Sequence, residues 1–332
     1  MEEIRIPNDA TYAPVSLTDI MATAPLASRL FLGATLPGRV LSAAAFGMYA
    51  GSAVKDWMSR RQMKWIDFDL EFGADIKSLQ GMPDEARRDE IKRLATRLND
   101  IYTDERVPRA ELAKAVNGHL TEYMASITGQ RVHTSSEIRE FTLAKLVFPF
   151  AMGVCDIISG DVALFKDTGM FEAHVICHEF VHRKGYWKEL HAQALSYLAL
   201  MSSGDPLMVQ SALAERLHRQ LKSIAGEDHQ EYHDLVDDLA LRSELASGSR
   251  SFTGSDSGRF CPLDFDKSPR RAATKVRTTK RDASAARGDR ISVAAITAPC
   301  SVYIIGGWRS PPCAFDIPSW NFKSANSSSF RR

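Results

Sequence analysis

The segment His178-Glu179-Phe180-Val181-His182 has the residue types and the spacing of a metal site on a helix. Helical residues four positions apart lie one turn apart on the same face, so the imidazoles of His178 and His182 can bind one metal ion. Glu179 is rotated by about 100° around the helix axis, where it can reach a water molecule at the metal without being a ligand. This pattern predicts a Zn²⁺ site with Glu179 as the general base of a hydrolytic reaction.

The residues around this motif are apolar. Val175, Ile176 and Cys177 precede it, and Phe180 and Val181 lie inside it, so the helix is expected to be buried. Buried histidine and glutamate side chains need a compensating partner, and a metal ion supplies one. The five-residue pattern is weak evidence alone. A hydrogen-bonded polar cluster in a protein core is the alternative interpretation.

A third ligand is expected shortly after the motif. Gly185 suits a turn at the end of the site helix, and a second helix is expected over 187–203. His191 falls on the apolar stripe of that second helix, whereas Glu189 lies about 200° away from it around the helix axis. We therefore predict His191 as the third zinc ligand beside His178 and His182, with Glu189 as the open alternative.

The rest of the chain predicts a mainly α fold with a small β element (α+β). Extended segments are expected at 142–150 and 160–165, just before the site helix. By analogy with zinc peptidases, 160–165 is expected to flank the cleft. His218, His229 and His233 are expected at the surface. One helix is expected to begin near Asp84. Further helices are expected over Arg109–Thr128, 171–184, 187–203, 206–225 and 228–246.

The composition divides the 332 residues into three parts. Overall, 44% apolar and 25% charged residues are ordinary for a globular protein. Residues 251–332 contain 14 Lys/Arg and 6 Asp, a net charge of +8, which leaves −7 for residues 1–250. We predict an N-terminal segment (1–60), a catalytic domain that contains the HEFVH motif (61–250) and a basic tail (251–332). The composition of the tail indicates disorder, and the alternative is that it is not a selected sequence, such as a translated shifted frame. No specific nucleic-acid partner is expected.

The N-terminal segment has an apolar stretch over 26–54. Its uncharged run from Val40 to Val54 has 15 residues, fewer than the roughly 20 that a membrane-spanning helix needs. A buried helix is the leading interpretation, and a membrane-embedded or interfacial helix is the alternative. No cleavable signal peptide is expected. The five scattered cysteines favour a reducing compartment.

From about Phe148 to Leu200 the chain resembles an uncharacterised family of bacterial membrane-associated proteins classed as zinc metallopeptidases. In that family HExxH is followed by a two-residue spacer, Gly and a helix of the form E-x-E-A-N-x-x-x-Y-L-A. The corresponding run here is HEFVHRKGYWKELHAQALSYLA. The third ligand inferred for the family is the second acidic residue of that helix, and His191 stands at this position. The residues in register are Phe148, Pro149, Phe150, Gly185, Glu189, Ala192, Tyr197, Leu198 and Ala199.

The resemblance implies a zincin-like metallopeptidase core, a Zn²⁺ cofactor and a peptide or protein substrate. It also implies a membrane-associated location in a bacterium, with the cytoplasm as the alternative, because the family has membrane helices where residues 26–54 stand here. Two other functions remain open. In the first, zinc cross-links two helices of a structural or regulatory protein. In the second, the chain is a membrane-associated interaction protein in which HExxH occurs by chance.

Overall fold

The helices hold most of the residues that the structure describes. The computed structural model describes residues 1–12, 35–72, 82–139, 153–226 and 228–254, with the single residues Ser16, Asp19 and Leu30. Within them the chain is mostly helical with a small strand component, which confirms the predicted class at that level. The helices are α1 (Leu36–Arg60), α2 (Phe68–Phe72), α3 (Asp84–Asp100), α4 (Arg109–Thr128), α5 (Glu172–Arg183), α6 (Glu189–Ser202), α7 (Pro206–Ala225), α8 (His229–Asp237) and α9 (Ser243–Gly254).

Of two helix boundaries, one is set by the local sequence and the other by a contact with a distant residue. Helix α4 ends as predicted, because Gly129 takes a left-handed φ of 72° that terminates the helix. The predicted helix 228–246 is wrong, since α8 and α9 are separate. Between them the side chain of Asn99 donates to the carbonyl of Ala240 and accepts from the N–H of Arg242, so a distant residue satisfies this backbone.

The described strands form two small sheets. Strand β1 (Glu2–Arg5) pairs in parallel with β2 (Gln130–His133), so Ile4 lies opposite Val132. Strand β3 (Gly153–Cys155) pairs antiparallel with β4 (Val162–Leu164). The predicted extended segment 160–165 therefore contains a strand, whereas 142–150 lies outside the described residues.

Helix α5 lies at the centre of the core. It packs against α4, α6, α7 and β3, so every side of the helix is covered. Helix α4 has one apolar stripe that faces inward, and its residues Leu112, Val116, Leu120 and Met124 are all buried. Helix α3 packs against α7, and its residues Ile91, Leu94 and Leu98, spaced three or four positions apart on one face, are buried.

Two fully buried cations hold the C-terminal end of α5. Arg183 donates to the carbonyls of Gly160, Ser135 and Glu137 at 2.7–2.8 Å. The ammonium of Lys184 donates to the hydroxyl of Thr121 at 2.9 Å and to a backbone carbonyl at 2.7 Å, and burial lowers its pKa to about 7. These bonds fix the end of the site helix to α4 and to the segments that flank the strands.

Helix α1 contradicts the prediction of a buried N-terminal helix. Ser52, Ala53 and Asp56 are buried, but most of the apolar side chains described on α1 are exposed. No helix in the described ranges is both long enough and apolar enough to cross a membrane. The exposed apolar residues of α1 are Leu36, Val40, Leu41, Phe46, Met48, Val54, Trp57 and Met58.

The predicted boundary at residue 250 falls inside a helix. Helix α9 continues through residue 250 to Gly254. It packs against α8 and against the 3-10 turn Gly169–Phe171, and the side chain of Phe252 stacks on Phe171. The rest of the predicted tail lies outside the described residues.

Candidate metal centre

Helix α5 carries both histidines of the motif in a fully buried setting. All residues from Ala173 to Arg183 are buried, and His178 and His182 are only 1% and 5% exposed. The helix therefore has the apolar surroundings that the sequence predicts. Desolvating two imidazoles and the neighbouring Glu179 without partners is costly, so the side chains that face them decide what the site can do.

The turn after α5 directs the chain back towards the two histidines. Gly185 adopts a φ of 109°, a conformation that other residues rarely adopt. A Cβ atom there would also lie 3.0 Å from the Trp65 side chain and 3.3 Å from that of Arg60. The carbonyl of Tyr186 then accepts a hydrogen bond from Nδ1 of His182 at 2.8 Å. The turn thus orients one candidate ligand and leads into α6.

Glu189, the first residue of α6, completes the group of candidate ligands. Its carboxylate oxygens lie 3.2 Å from Nε2 of His178 and 3.3 Å from Nε2 of His182. The two Nε2 atoms are 3.0 Å apart. Within the described ranges, these three residues form the group of His, Cys, Asp and Glu side chains close enough together to hold a metal ion.

The prediction that His191 rather than Glu189 lies beside the two motif histidines is therefore wrong. The His191 ring stacks on Phe68 of α2, with ring centroids 3.7 Å apart and planes 12° apart. Its apolar partner is thus α2 and not α5. The side chain at the start of α6 is the one that reaches the motif histidines, and the open alternative, Glu189, is the residue that the structure places there.

The three side chains could hold a metal ion. In a tetrahedral site with bonds of about 2.0–2.2 Å the ligand atoms lie about 3.3–3.6 Å apart. Here the two Nε2 atoms are 3.0 Å apart, and each lies 3.2–3.3 Å from a different oxygen of Glu189. Because Nδ1 of His182 faces a carbonyl, it carries the proton and Nε2 presents a lone pair. A cation beside the two Nε2 atoms and the Glu189 carboxylate would compensate this concentration of acceptors.

The charges of the group reflect this crowding. Burial lowers the pKa of His178 to about 4. Burial also acts against the charged form of His182, but the hydrogen bond to Glu189 and the charge of Glu179 outweigh it and raise its pKa. Burial tends to raise the pKa of Glu189, but the bonds to both histidines lower it overall. The carboxylate of Glu189 is therefore ionised and offers a negative ligand to a cation.

Glu179 is placed beside this group as the general-base prediction requires. It is 2% exposed, and burial raises its pKa to about 7, a value suited to both accepting and returning a proton near neutrality. Strand β3 lies close to the Glu179 carboxylate, and the lack of a side chain at Gly153 leaves room for it. A Cβ atom on Gly153 would lie 3.1 Å from Oε1 of Glu179 and 2.8 Å from the side chain of Leu164.

A small cavity adjoins the candidate ligands. Its volume is about 10 Å³, close to what one water molecule needs. Strand β3 contributes Cys155 to its wall, so β3 rather than the predicted segment 160–165 flanks the site. The residues of β4 are buried behind it. The cavity is lined by Cys155, Ile157, His178, Glu179, His182, Trp187 and Glu189.

Other parts of the site had no clear signal in the sequence. Trp187 precedes Glu189 by two residues, but nothing in the local pattern indicates that it lines the cavity, and the same holds for Cys155. The prediction that His218 lies at the surface is wrong. It is 7% exposed, and its Nδ1 pairs with the hydroxyl of Tyr232 at 2.9 Å.

Comparison with known proteins adds no further information on the site. No protein-family model, no curated protein and no solved structure matches the chain. The resemblance to zinc metallopeptidases therefore depends on the residues of the motif region themselves.

Proposed function

We propose that the chain is a zinc-dependent metallopeptidase with His178, His182 and Glu189 as zinc ligands and Glu179 as the general base. The observation that carries the proposal is the convergence of three side chains: the two Nε2 atoms are 3.0 Å apart, and each lies 3.2–3.3 Å from one of the two Glu189 oxygens, beside a buried carboxylate and a cavity. Two histidines and one glutamate form the ligand set of several catalytic zinc sites. A zincin-like arrangement of the core is part of the same proposal.

Each side chain then has a defined task in hydrolysis. A zinc ion at this site would lower the pKa of a water molecule and polarise the scissile carbonyl. Glu179 accepts the proton of the attacking water as the bond to the carbonyl carbon forms, and it returns that proton to the leaving amine as the C–N bond breaks. Burial of the Glu179 carboxyl raises its pKa, which favours the uptake of that proton. The carbonyl of Tyr186 holds the His182 ring in orientation throughout.

The number of ligands favours catalysis over a structural zinc staple. Structural zinc sites use four protein ligands, whereas catalytic sites use three and leave one position for water. The candidate group found among the described residues has three members, and the cavity beside it has room for about one water molecule. The structural or regulatory alternative would need a fourth protein ligand at this site.

Metal content and the fate of a peptide substrate test the proposal together. Protein purified without chelator is expected to contain close to one zinc per chain by elemental analysis, and to cleave a peptide mixture in a zinc-dependent way. Glu179→Gln is expected to keep the zinc and lose hydrolysis. A protein that binds no zinc, or a Glu179→Gln variant that still cleaves peptides, would contradict the assignment.

Association with a membrane surface is a separate proposal, supported by α1. Apolar side chains that include Phe46 and Trp57 are exposed along this helix, and large exposed apolar patches mark contact surfaces. Flotation of the full chain with phospholipid vesicles tests it. Binding is expected to weaken in a Phe46→Ser, Trp57→Ser double variant, and protein that stays unbound at all lipid compositions would exclude the proposal.

A further inference from the structure

Trp187 forms part of the cavity wall next to the candidate ligands. The cavity has three lining residues without an ionisable role in the proposed reaction, Cys155, Ile157 and Trp187. All three are half-buried, so parts of their side chains remain accessible. Trp187 has the largest apolar surface of the three and is the one in the turn between α5 and α6. A substrate that reaches the candidate ligands would therefore meet its indole ring.

The position of the Trp187 indole is fixed from two directions. Its plane lies within 6° of the plane of the His182 ring, with ring centroids 6.2 Å apart. The guanidinium carbon of Arg60 lies 5.6 Å from the indole centroid, within the range of a cation–π contact. Arg60 is only 6% exposed, and its Nη2 donates to the carbonyl of Arg183 at 3.0 Å. A ring held in this way offers a preformed surface.

We propose that Trp187 selects the substrate residue next to the scissile bond, favouring aromatic and large aliphatic side chains over lysine and arginine. The inference rests on the proposed peptidase function and deepens it by naming the substrate class. Flat apolar side chains pack well on an indole ring. With a divalent cation bound, its charge offsets the lining carboxylates of Glu179 and Glu189, and Asp56 interacts with Arg60. The lining carboxylates are then not free to pair with a lysine or arginine side chain at the wall.

Cleavage-site profiling tests the selectivity directly. The zinc-loaded full chain is incubated with a peptide library, and the cleaved bonds are identified by mass spectrometry. We expect phenylalanine, tyrosine, tryptophan or leucine to be preferred over lysine and arginine by roughly ten-fold at one fixed position beside the cleaved bond, the order expected when an apolar side chain packs against an apolar surface. Trp187→Ala should reduce that ratio towards one, and Trp187→Phe should largely keep it.

Leu70→Ala is the control. Leu70 is an exposed apolar residue on α2 that does not line the cavity, so this variant should keep the cleavage profile. Zinc content measured on every variant separates a change in selectivity from loss of the metal.

Binding provides a readout that does not depend on turnover. The zinc-loaded Glu179→Gln protein is titrated with two fluorescently labelled peptides that differ only in phenylalanine or lysine at the preferred position. The phenylalanine peptide is expected to bind roughly ten-fold more tightly, and adding Trp187→Ala is expected to remove the difference.

The outcomes distinguish this inference from the proposed function. Cleavage without a preference, or a preference that Trp187→Ala leaves intact, overturns the role of Trp187 while the peptidase assignment stands. If the zinc-loaded protein cleaves no peptide and the Glu179→Gln variant binds none, the proposed function fails and the inference fails with it.

Discussion

Replacing Glu189 by alanine should remove most of the stabilisation that zinc gives to the folded protein. The Glu189 carboxylate lies 3.2 and 3.3 Å from the Nε2 atoms of His178 and His182, so Glu189→Ala leaves two of the three candidate ligands. His191→Ala is the matched control, because it removes a neighbouring side chain that stacks on Phe68 instead. The pair of variants therefore separates the two candidates for the third ligand.

The size of the effect follows from binding linkage. Free zinc at about 100 times its dissociation constant stabilises the folded state by about 2.7 kcal/mol. Loss of groups that only support metal ligands weakens binding by roughly 10–100-fold, so loss of a ligand should weaken it by at least about 100-fold. At the same free zinc concentration the variant would then gain only about 0.4 kcal/mol. The difference of about 2.3 kcal/mol corresponds to about 5–9 °C in Tm for a domain of this size.

Thermal unfolding with and without zinc measures this difference. Each protein is melted once with chelator and once with zinc buffered at a fixed free concentration, and the zinc-induced shift in Tm is compared. Any instability that a substitution causes by itself appears in both melts and cancels. Wild type and His191→Ala should show the full shift, and Glu189→Ala should show little. A full shift in Glu189→Ala, or its loss in His191→Ala, would refute the ligand assignment.

Two further predictions concern residues around the centre. In Gly153→Ala the new Cβ would lie 2.8 Å from Leu164 and 3.1 Å from the carboxylate of Glu179. We therefore expect the free energy of unfolding to fall by about 1–3 kcal/mol and kcat/KM to fall by a larger fraction than the zinc content. Unchanged kcat/KM would show that the position of this carboxylate does not matter. Burial lowers the pKa of His218 from 6.5 to about 4, so the folded state keeps it neutral while the unfolded chain takes up a proton below pH 6.5. Lowering the pH from 7 to 5 should therefore cost about 2 kcal/mol of stability through His218 alone. In urea unfolding of chelator-treated protein, His218→Asn should lose that much less stability between these pH values, and an equal pH dependence would contradict the argument.

The choice between His191 and Glu189 shows where sequence reasoning reached its limit. The apolar stripe of α6 correctly gives His191 an apolar neighbour, but that neighbour is Phe68, from a helix more than a hundred residues earlier in the chain. Glu189 is the first residue of α6, so the turn at Gly185 governs its direction more than the face on which α6 packs. The helical period describes one helix and contains no information about which neighbour each face meets.

The same limit applies to His218 and to α1. His218 has polar neighbours in sequence, yet the hydroxyl of Tyr232 from α8 satisfies it in a buried position. The apolar residues of α1 predict burial, but covering them requires a partner surface, and most of those described are exposed. Burial depends on contacts between elements, which composition does not specify.

The amino-acid sequence specifies the parts of the centre that lie within one helix or one turn. The spacing of His178 and His182, the adjacent Glu179 and the turn at Gly185 follow from local backbone geometry, and the structure places each of them as that geometry requires. The tertiary structure decided which residue joins them, bringing Glu189 to 3.2–3.3 Å from the two histidines. It also brought Cys155 of β3 and Trp187 of the turn into the cavity wall. Local geometry is repeated in every helix, whereas the convergence of separate elements depends on how the whole core packs.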